Sequence, residues 1–172
     1  FAEEEPVFLL RQSGYMKSLG YEDVALDHVP ERVACMTTYP FRTLYELGVN
    51  FVAVAETSTF EYPEEIQPLV MPAVMSSTFD LEGIVALEPD LVLLPDSAMA
   101  THGATLQELG IPAFAVTTKE PDQDVYTTVK NQTEAYIDAF ARDDAALAAA
   151  EDIRARFAAL DARIAEANER YA

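Results

Sequence analysis

A chain of 172 residues, half of them hydrophobic, is expected to form one α/β domain with a sizeable core. Its formal net charge of −19 excludes the ordinary ways of holding nucleic acid or anionic lipid, because phosphates would be repelled. The same charge suits a basic partner surface or a cationic or metal-bearing ligand, and at its plainest it keeps an exposed protein soluble.

Cys35 is the single cysteine, so no internal disulfide can form, and its apolar setting in Val33–Met36 points to a buried structural thiol. No stretch approaches the ~20 apolar residues of a membrane span. The opening FAEEEP has neither a basic nor an apolar leader region. For an exported protein, the signal or anchor segment is therefore expected outside this sequence.

In chain order, Val7–Leu10 reads as a strand and Tyr15–Leu19 as a turn of helix, within a segment of residues 1–20 read as an N-terminal extension. Val33–Met36 is the next strand, and Thr37, Thr38 and Tyr39 form the loop after it. Pro40 suits a first helical position, where its missing N–H costs nothing. Phe41, Leu44, Tyr45 and Leu47 give that helix its inward face, and Gly48 ends it. Phe51–Ala55 is a strand. Glu56–Pro63 is a polar loop carrying Ser58, Phe60 and Tyr62. A short helix over Pro63–Leu69 and a strand over Val70–Met75 follow, with Pro72 placing the strand at a sheet edge.

The stretch Phe79–Leu94, FDLEGIVALEPDLVLL, organises the rest. Asp80 can cap a helix by accepting from a free backbone N–H. Leu81, Ile84, Val85 and Leu87 supply its apolar face, and Pro89 ends it. Leu91–Leu94 runs apolar without alternation, as a strand covered on both faces does. Pro95–Gly103 reads as a polar loop, followed by a helix through Leu109, a strand over Ala113–Thr117 and a helix over Asp122–Phe140. The last helix, Asp143–Tyr171, carries Leu147, Ile153, Phe157, Leu160 and Ile164 as one stripe. Asp152 with Arg156 and Glu166 with Arg170 form i,i+4 pairs, each adding a few tenths of a kcal/mol.

Strands alternating with helices imply right-handed crossovers and a parallel sheet, one Rossmann-like lobe ending in a long helix. Ligands of such sheets sit beyond the carboxyl ends of the strands. Thr37–Tyr39, Glu56–Phe60, Ser76–Thr78, Pro95–His102 and Thr117–Lys119 occupy those ends. No nucleophile elbow, zincin, paired-cysteine or phosphate-loop motif occurs. The many carboxylates carry no specific sign of acid/base work, and no enzymatic activity is expected.

The run DLEGIVALEPDLVLL, then LQELGIPAFAV, together with VPERVACMTTYPFRTLYELGVNFVAVA over residues 29–55, resembles the first lobe of periplasmic-type substrate-binding proteins. The subfamily it resembles serves ABC importers for iron-siderophores, haem and cobalamin. That resemblance implies a ligand-binding lobe over residues 21–141 and a backbone helix over 142–172, with the second lobe outside this chain. It implies a metal chelate as ligand, an ABC permease and ATPase complex as membrane partner, and an extracytoplasmic, lipid-anchored monomer. Thr38, Tyr39, Arg42, Ser58, Phe60, Ser77, Asp96 and His102 are the candidate ligand-binding residues. Tyr39 and Phe60 would stack on a planar ligand, and Arg42 would reach an anionic group. Met99 and His102, three apart, have side chains able to ligate a haem iron, against the plainer reading of a helix-start hydrophobe and an exposed histidine. No metal ligand and no cofactor is assigned. Glu82 matches the family's glutamate that docks on the permease; a carboxylate near a helix start is also favoured with no partner at all. A doubly wound small-molecule enzyme and a surface interaction module without a small ligand are the alternatives.

Overall fold

The structure, a computed structural model, describes residues 5–171. Seven strands and six helices follow in order: β1 (Phe8–Leu10), α1 (Gly14–Ser18), β2 (Val24–Leu26), β3 (Val33–Cys35), α2 (Phe41–Glu46), β4 (Phe51–Ala55), β5 (Val70–Met71), α3 (Leu81–Ala86), β6 (Leu91–Pro95), α4 (Asp96–Glu108), β7 (Ala113–Val116), α5 (Val125–Phe140) and α6 (Asp144–Arg170). A five-stranded sheet runs in the order β5-β4-β3-β6-β7, every pair parallel. The central register sets Val33 beside Leu91 and Cys35 beside Leu93.

Successive side chains of a strand point to opposite faces, and the two faces are filled differently. Val33, Cys35, Val54, Leu91, Leu93, Phe114 and Val116 point toward α2, α5 and α6. Ala34, Met36, Ala53, Ala55, Val92 and Leu94 point toward α3 and α4. Leu91–Leu94 are all fully buried, which is why that run shows no alternation. Each such leucine contributes about 1.5–3 kcal/mol by leaving water.

Residues 5–20 are not an appendage. β1 pairs antiparallel with β2, and Phe8 and Leu10 are fully buried, Phe8 lying edge-on to Phe140 at 4.9 Å. Two other expectations change. Only Val70 and Met71 form β5, which does lie at the sheet edge. Pro95–Gly103 is no loop, because α4 begins at Asp96 directly from β6. Pro95, extended at ψ 143°, makes that turn.

The central helix forms as its residues dictate. Asp80 Oδ1 accepts from the Gly83 N–H at 2.9 Å, and Ile84 is fully buried. A side chain at position 83 would approach the Asp80 carboxylate closely, so the carboxylate would have to shift to admit one. Asp124 and Asp143 cap α5 and α6 in the same way, each at 2.7 Å. α6 is 27 residues long, about 40 Å at 1.5 Å per residue.

At the end of the sheet where β3 and β6 begin, Asp90 accepts from the backbone N–H groups of Glu31 and Arg32, both at 2.8 Å. The Arg32 guanidinium donates to the Leu87 and Glu88 carbonyls. His28 lies 3.5 Å from the same carboxylate, and its pKa is raised chiefly by its hydrogen bond with Asp27. It sits at the amino end of the sheet, away from the rim.

Candidate ligand-binding rim

In this strand order the chain reverses direction between β3 and β6. α2 lies on one face and α3 and α4 on the other, so the loops leaving the two central strands diverge, the position at which sheets of this kind form a ligand crevice. From β3 come Thr37, Thr38 and Tyr39; from β6 comes Asp96. Thr38 is half-buried and Tyr39 is 53% exposed. Asp96 is half-buried, its carboxylate accepting from the Ser97 N–H and its carbonyl from the Tyr21 hydroxyl. Ser58 and Phe60 follow β4, and Ser77 follows β5, all exposed at the same end of the sheet.

Phe60 is held as a platform. It lies nearly parallel to Phe41 at 6.1 Å and edge-on to Tyr62 at 4.9 Å, and Phe41 in turn stacks on Tyr45. Tyr62 is fixed by donating to the Ala55 carbonyl at 2.6 Å. The ring of Phe60 nevertheless remains 41% exposed. Phe41 and Tyr62 are thus the groups that orient it, and Phe41 had been legible only as a core residue.

Three candidates sit differently from their expected places. Arg42 pairs with Glu46 at 3.2 Å, one helical turn away, and borders the groove between α2 and α6 rather than the crevice. Met99 and His102 lie on α4, not on a loop. Met99 packs into the core beneath α3 and α4 and against Gly103, whereas His102 lies tilted against Phe79 with ring centroids 5.1 Å apart. No cluster of three or more His, Cys, Asp or Glu able to hold a metal occurs among the described residues.

Cys35 lies directly beneath the rim. Burial pushes its thiol up to about 12, and it donates to the Thr37 carbonyl at 3.2 Å. It is a small hydrophobe of the core, not a nucleophile. Glu82 stands in the first turn of α3 with its side chain exposed. Beside it a shallow groove of about 230 Å³ is lined by Leu81, Val85 and Leu109. Among the described residues no helix is long and apolar enough to cross a membrane.

The reversal point of a doubly wound sheet is where such sheets commonly hold ligands. The family model described as periplasmic binding protein matches residues 33–172, and the chain belongs to that family. It is 33% identical over 93 residues to a cobalamin-binding protein of Halobacterium salinarum, a match covering 53% of this chain and 25% of that protein. It is 25% identical over 112 residues to an uncharacterized ABC transporter substrate-binding lipoprotein, YvrC, of Bacillus subtilis, covering 63% of this chain and 35% of that one.

Among solved structures, it superposes on the iron uptake ABC transporter substrate-binding protein PiuA from Streptococcus pneumoniae with a TM-score of 0.69. The identity is 23%, and the overlap covers 96% of this chain and 55% of PiuA. The periplasmic vitamin B12 binding protein BtuF of Vibrio cholerae gives a TM-score of 0.57 at 24% identity, covering 79% of this chain and 50% of BtuF. At these identities the likeness establishes the fold: a parallel sheet between helices, closed by a long last helix. The chain spans about half the length of these structures, and its matches to the curated relatives cover 25–35% of theirs. The family consists of substrate-binding proteins of ABC importers, which act outside the cytoplasm and are not enzymes.

Proposed function

We propose that this chain supplies one wall of a cleft that captures a metal chelate, an iron-siderophore, haem or cobalamin, and delivers it to the membrane permease of an ABC importer. The other wall is a second lobe, reached through α6. The observation that carries the reading is the pair of exposed rings, Tyr39 and Phe60, standing at the carboxyl ends of adjacent strands beside the β3–β6 crevice. Aromatic faces hold flat macrocycles and catecholate-type ligands by stacking. Thr38, Ser58, Ser77 and Asp96 add hydrogen-bonding groups along the same rim. Half a cleft buries half the ligand, so tight binding belongs to the two-lobed protein.

Glu82 is the docking residue in this reading. It is exposed on the outside of the lobe, and its carboxylate is free to meet a cationic side chain of the permease. The protein works as a lipid-anchored monomer at the extracytoplasmic face.

Titrating the full-length protein with cyanocobalamin, haemin and a ferric siderophore, followed by tyrosine fluorescence, tests the ligand class. Tyr39→Ala or Phe60→Ala is expected to weaken the cognate ligand roughly two- to tenfold, the equivalent of about 0.5–1.5 kcal/mol per lost stack. Silence with all three ligands would overturn the reading. Glu82→Ala should lower uptake in cells while leaving the ligand Kd unchanged; an unchanged uptake rate would remove Glu82 from the interface.

A further inference from the structure

Met75 is 87% exposed, the most exposed large hydrophobic side chain among the described residues. A single exposed hydrophobe is ordinary on a surface, but the loop that carries this one is braced. The Ser76 N–H donates to the Ala73 carbonyl at 2.9 Å and the Phe79 N–H to the Ser76 carbonyl at 3.2 Å, making two successive turns. Ser76 Oγ accepts from the Thr78 N–H at 3.2 Å and lies 2.9 Å from Thr78 Oγ1. Glu56, just past β4, holds the start of the loop. Its N–H donates to the Met71 carbonyl at 2.8 Å, and its carboxylate accepts from the Ala73 N–H at 3.2 Å. The loop is thereby tied to the segment that bears Ser58 and Phe60.

Its path is set at both ends. It leaves β5 at the sheet edge and reaches Phe79 beside His102 on α4, which follows β6. In the order β5-β4-β3-β6-β7 it therefore passes the carboxyl ends of β4 and β3, whose own loops carry Phe60 and Tyr39. Midway, Val74 packs into the core shared with α3 and α4, and its neighbour Met75 stands out into solvent.

The charges along this rim are one-sided. The segments leaving β3 to β7 carry Glu56, Glu61, Asp96, Glu120 and Asp122 but a single cation, Lys119, whose ammonium donates to the Glu120 and Gln123 carbonyls. Arg42 is paired with Glu46, and Arg11 opens on the far side, toward α5. A polyanion pressed against this wall would give up water and gain no partner, which is costly. A thioether on an unbranched chain instead adapts to apolar and aromatic faces.

We infer that, on the ligand wall proposed above, Met75 is a third contact beside Tyr39 and Phe60, and that it selects an uncharged, broad-faced ligand over a polyanionic chelate.

Equilibrium titration of the full-length protein with electrically neutral cyanocobalamin and with trianionic ferric tris(catecholate) tests this. Wild type is expected to bind cyanocobalamin the more tightly. Met75→Ala should weaken that binding roughly two- to tenfold, as for a lost sulfur–aromatic contact. Met75→Leu, which keeps the apolar bulk, should restore most of it. Met75→Lys should move the ratio of the two dissociation constants toward the ferric chelate by a similar factor. No variant should move Tm, because the side chain lies in solvent. With isotope-labelled methionine methyl groups, cyanocobalamin should shift the Met75 resonance the most of the five and leave the buried Met16 and Met36 in place. Equal binding by wild type and Met75→Ala, an unmoved ratio in Met75→Lys or an unshifted Met75 methyl would overturn the contact and leave the wall standing. A wild type that prefers the ferric chelate would overturn the selectivity. Silence with both probes overturns the contact as well, and silence with haemin in addition removes the wall itself.

Discussion

The two halves of α6 share one sequence pattern and meet opposite surroundings. From Asp144 to Phe157 the helix lies on the lobe: Ala146, Ala150 and Ile153 are buried, and Phe157 packs on the same core. From residue 162 to 171 every residue is exposed, and Ile164 is 45% exposed. The stripe expected from Leu147 through Ile164 is therefore not one contact surface. Leu147 and Leu160 are half exposed while Ile153 between them is covered. Apolar spacing tells what a helix is able to cover; only the tertiary arrangement tells which part is covered. The junction is marked by Asp161, which accepts from the Tyr126 hydroxyl at 2.7 Å and pairs with Lys130.

The contrast predicts a graded series of substitutions. Ile153→Ala should cost about 2–5 kcal/mol of unfolding free energy in urea titration, the usual range for a truncated core isoleucine. A loss below ~0.5 kcal/mol would mean that the first half is not truly docked. Asp143→Ala, which removes the cap on the Ala146 N–H, should cost about 1 kcal/mol. Asp161→Asn should lower Tm slightly, and only above the acid range. The Lys130 ammonium, then the Tyr126 hydroxyl, holds this carboxyl below its usual range. Its stabilisation is therefore complete above the ordinary carboxylate value of about 3.9 and is lost as pH falls through the lowered folded value. Wild type and variant should converge in Tm at that acidic end; a constant gap would show that the asparagine acts by shape alone. Smallest of all, Ile164→Ser in this chain should change stability by no more than about 0.5 kcal/mol. Amide exchange should rank the halves in the same order, slow in residues 147–157 and fast in 162–170.

How far such features were legible depended on whether a residue's neighbours in sequence are also its neighbours in space. Asp80, Ile84 and Leu91–Leu94 were legible because a cap, a helical face and a doubly covered strand are local signals. The same holds for Gly48, whose φ of 81° ends α2. Pro95–Gly103 reads as a loop because its proline, serine, threonine and glycine look like loop punctuation. The helix is instead secured by Ala98 and Leu106 in the core and by Gly103 packing on Met99. β1 was visible as a strand, but its membership of the lobe was not, since Phe140, its aromatic partner, comes more than a hundred residues later. At the rim, chain order alone sets Tyr39, Phe60 and Asp96 after β3, β4 and β6. It could not foresee that Arg42 turns toward Glu46, a choice made by an ion pair along the helix.

The carboxylate of Asp90 ties the two middle strands together at the end of the sheet farthest from the crevice. The loops opposite bear no part of that knot. Substitutions among Thr38, Ser58 or Ser77 can therefore accumulate over generations without loosening the scaffold, and a lineage carrying this knot is free to retune what it captures while inheriting the same frame.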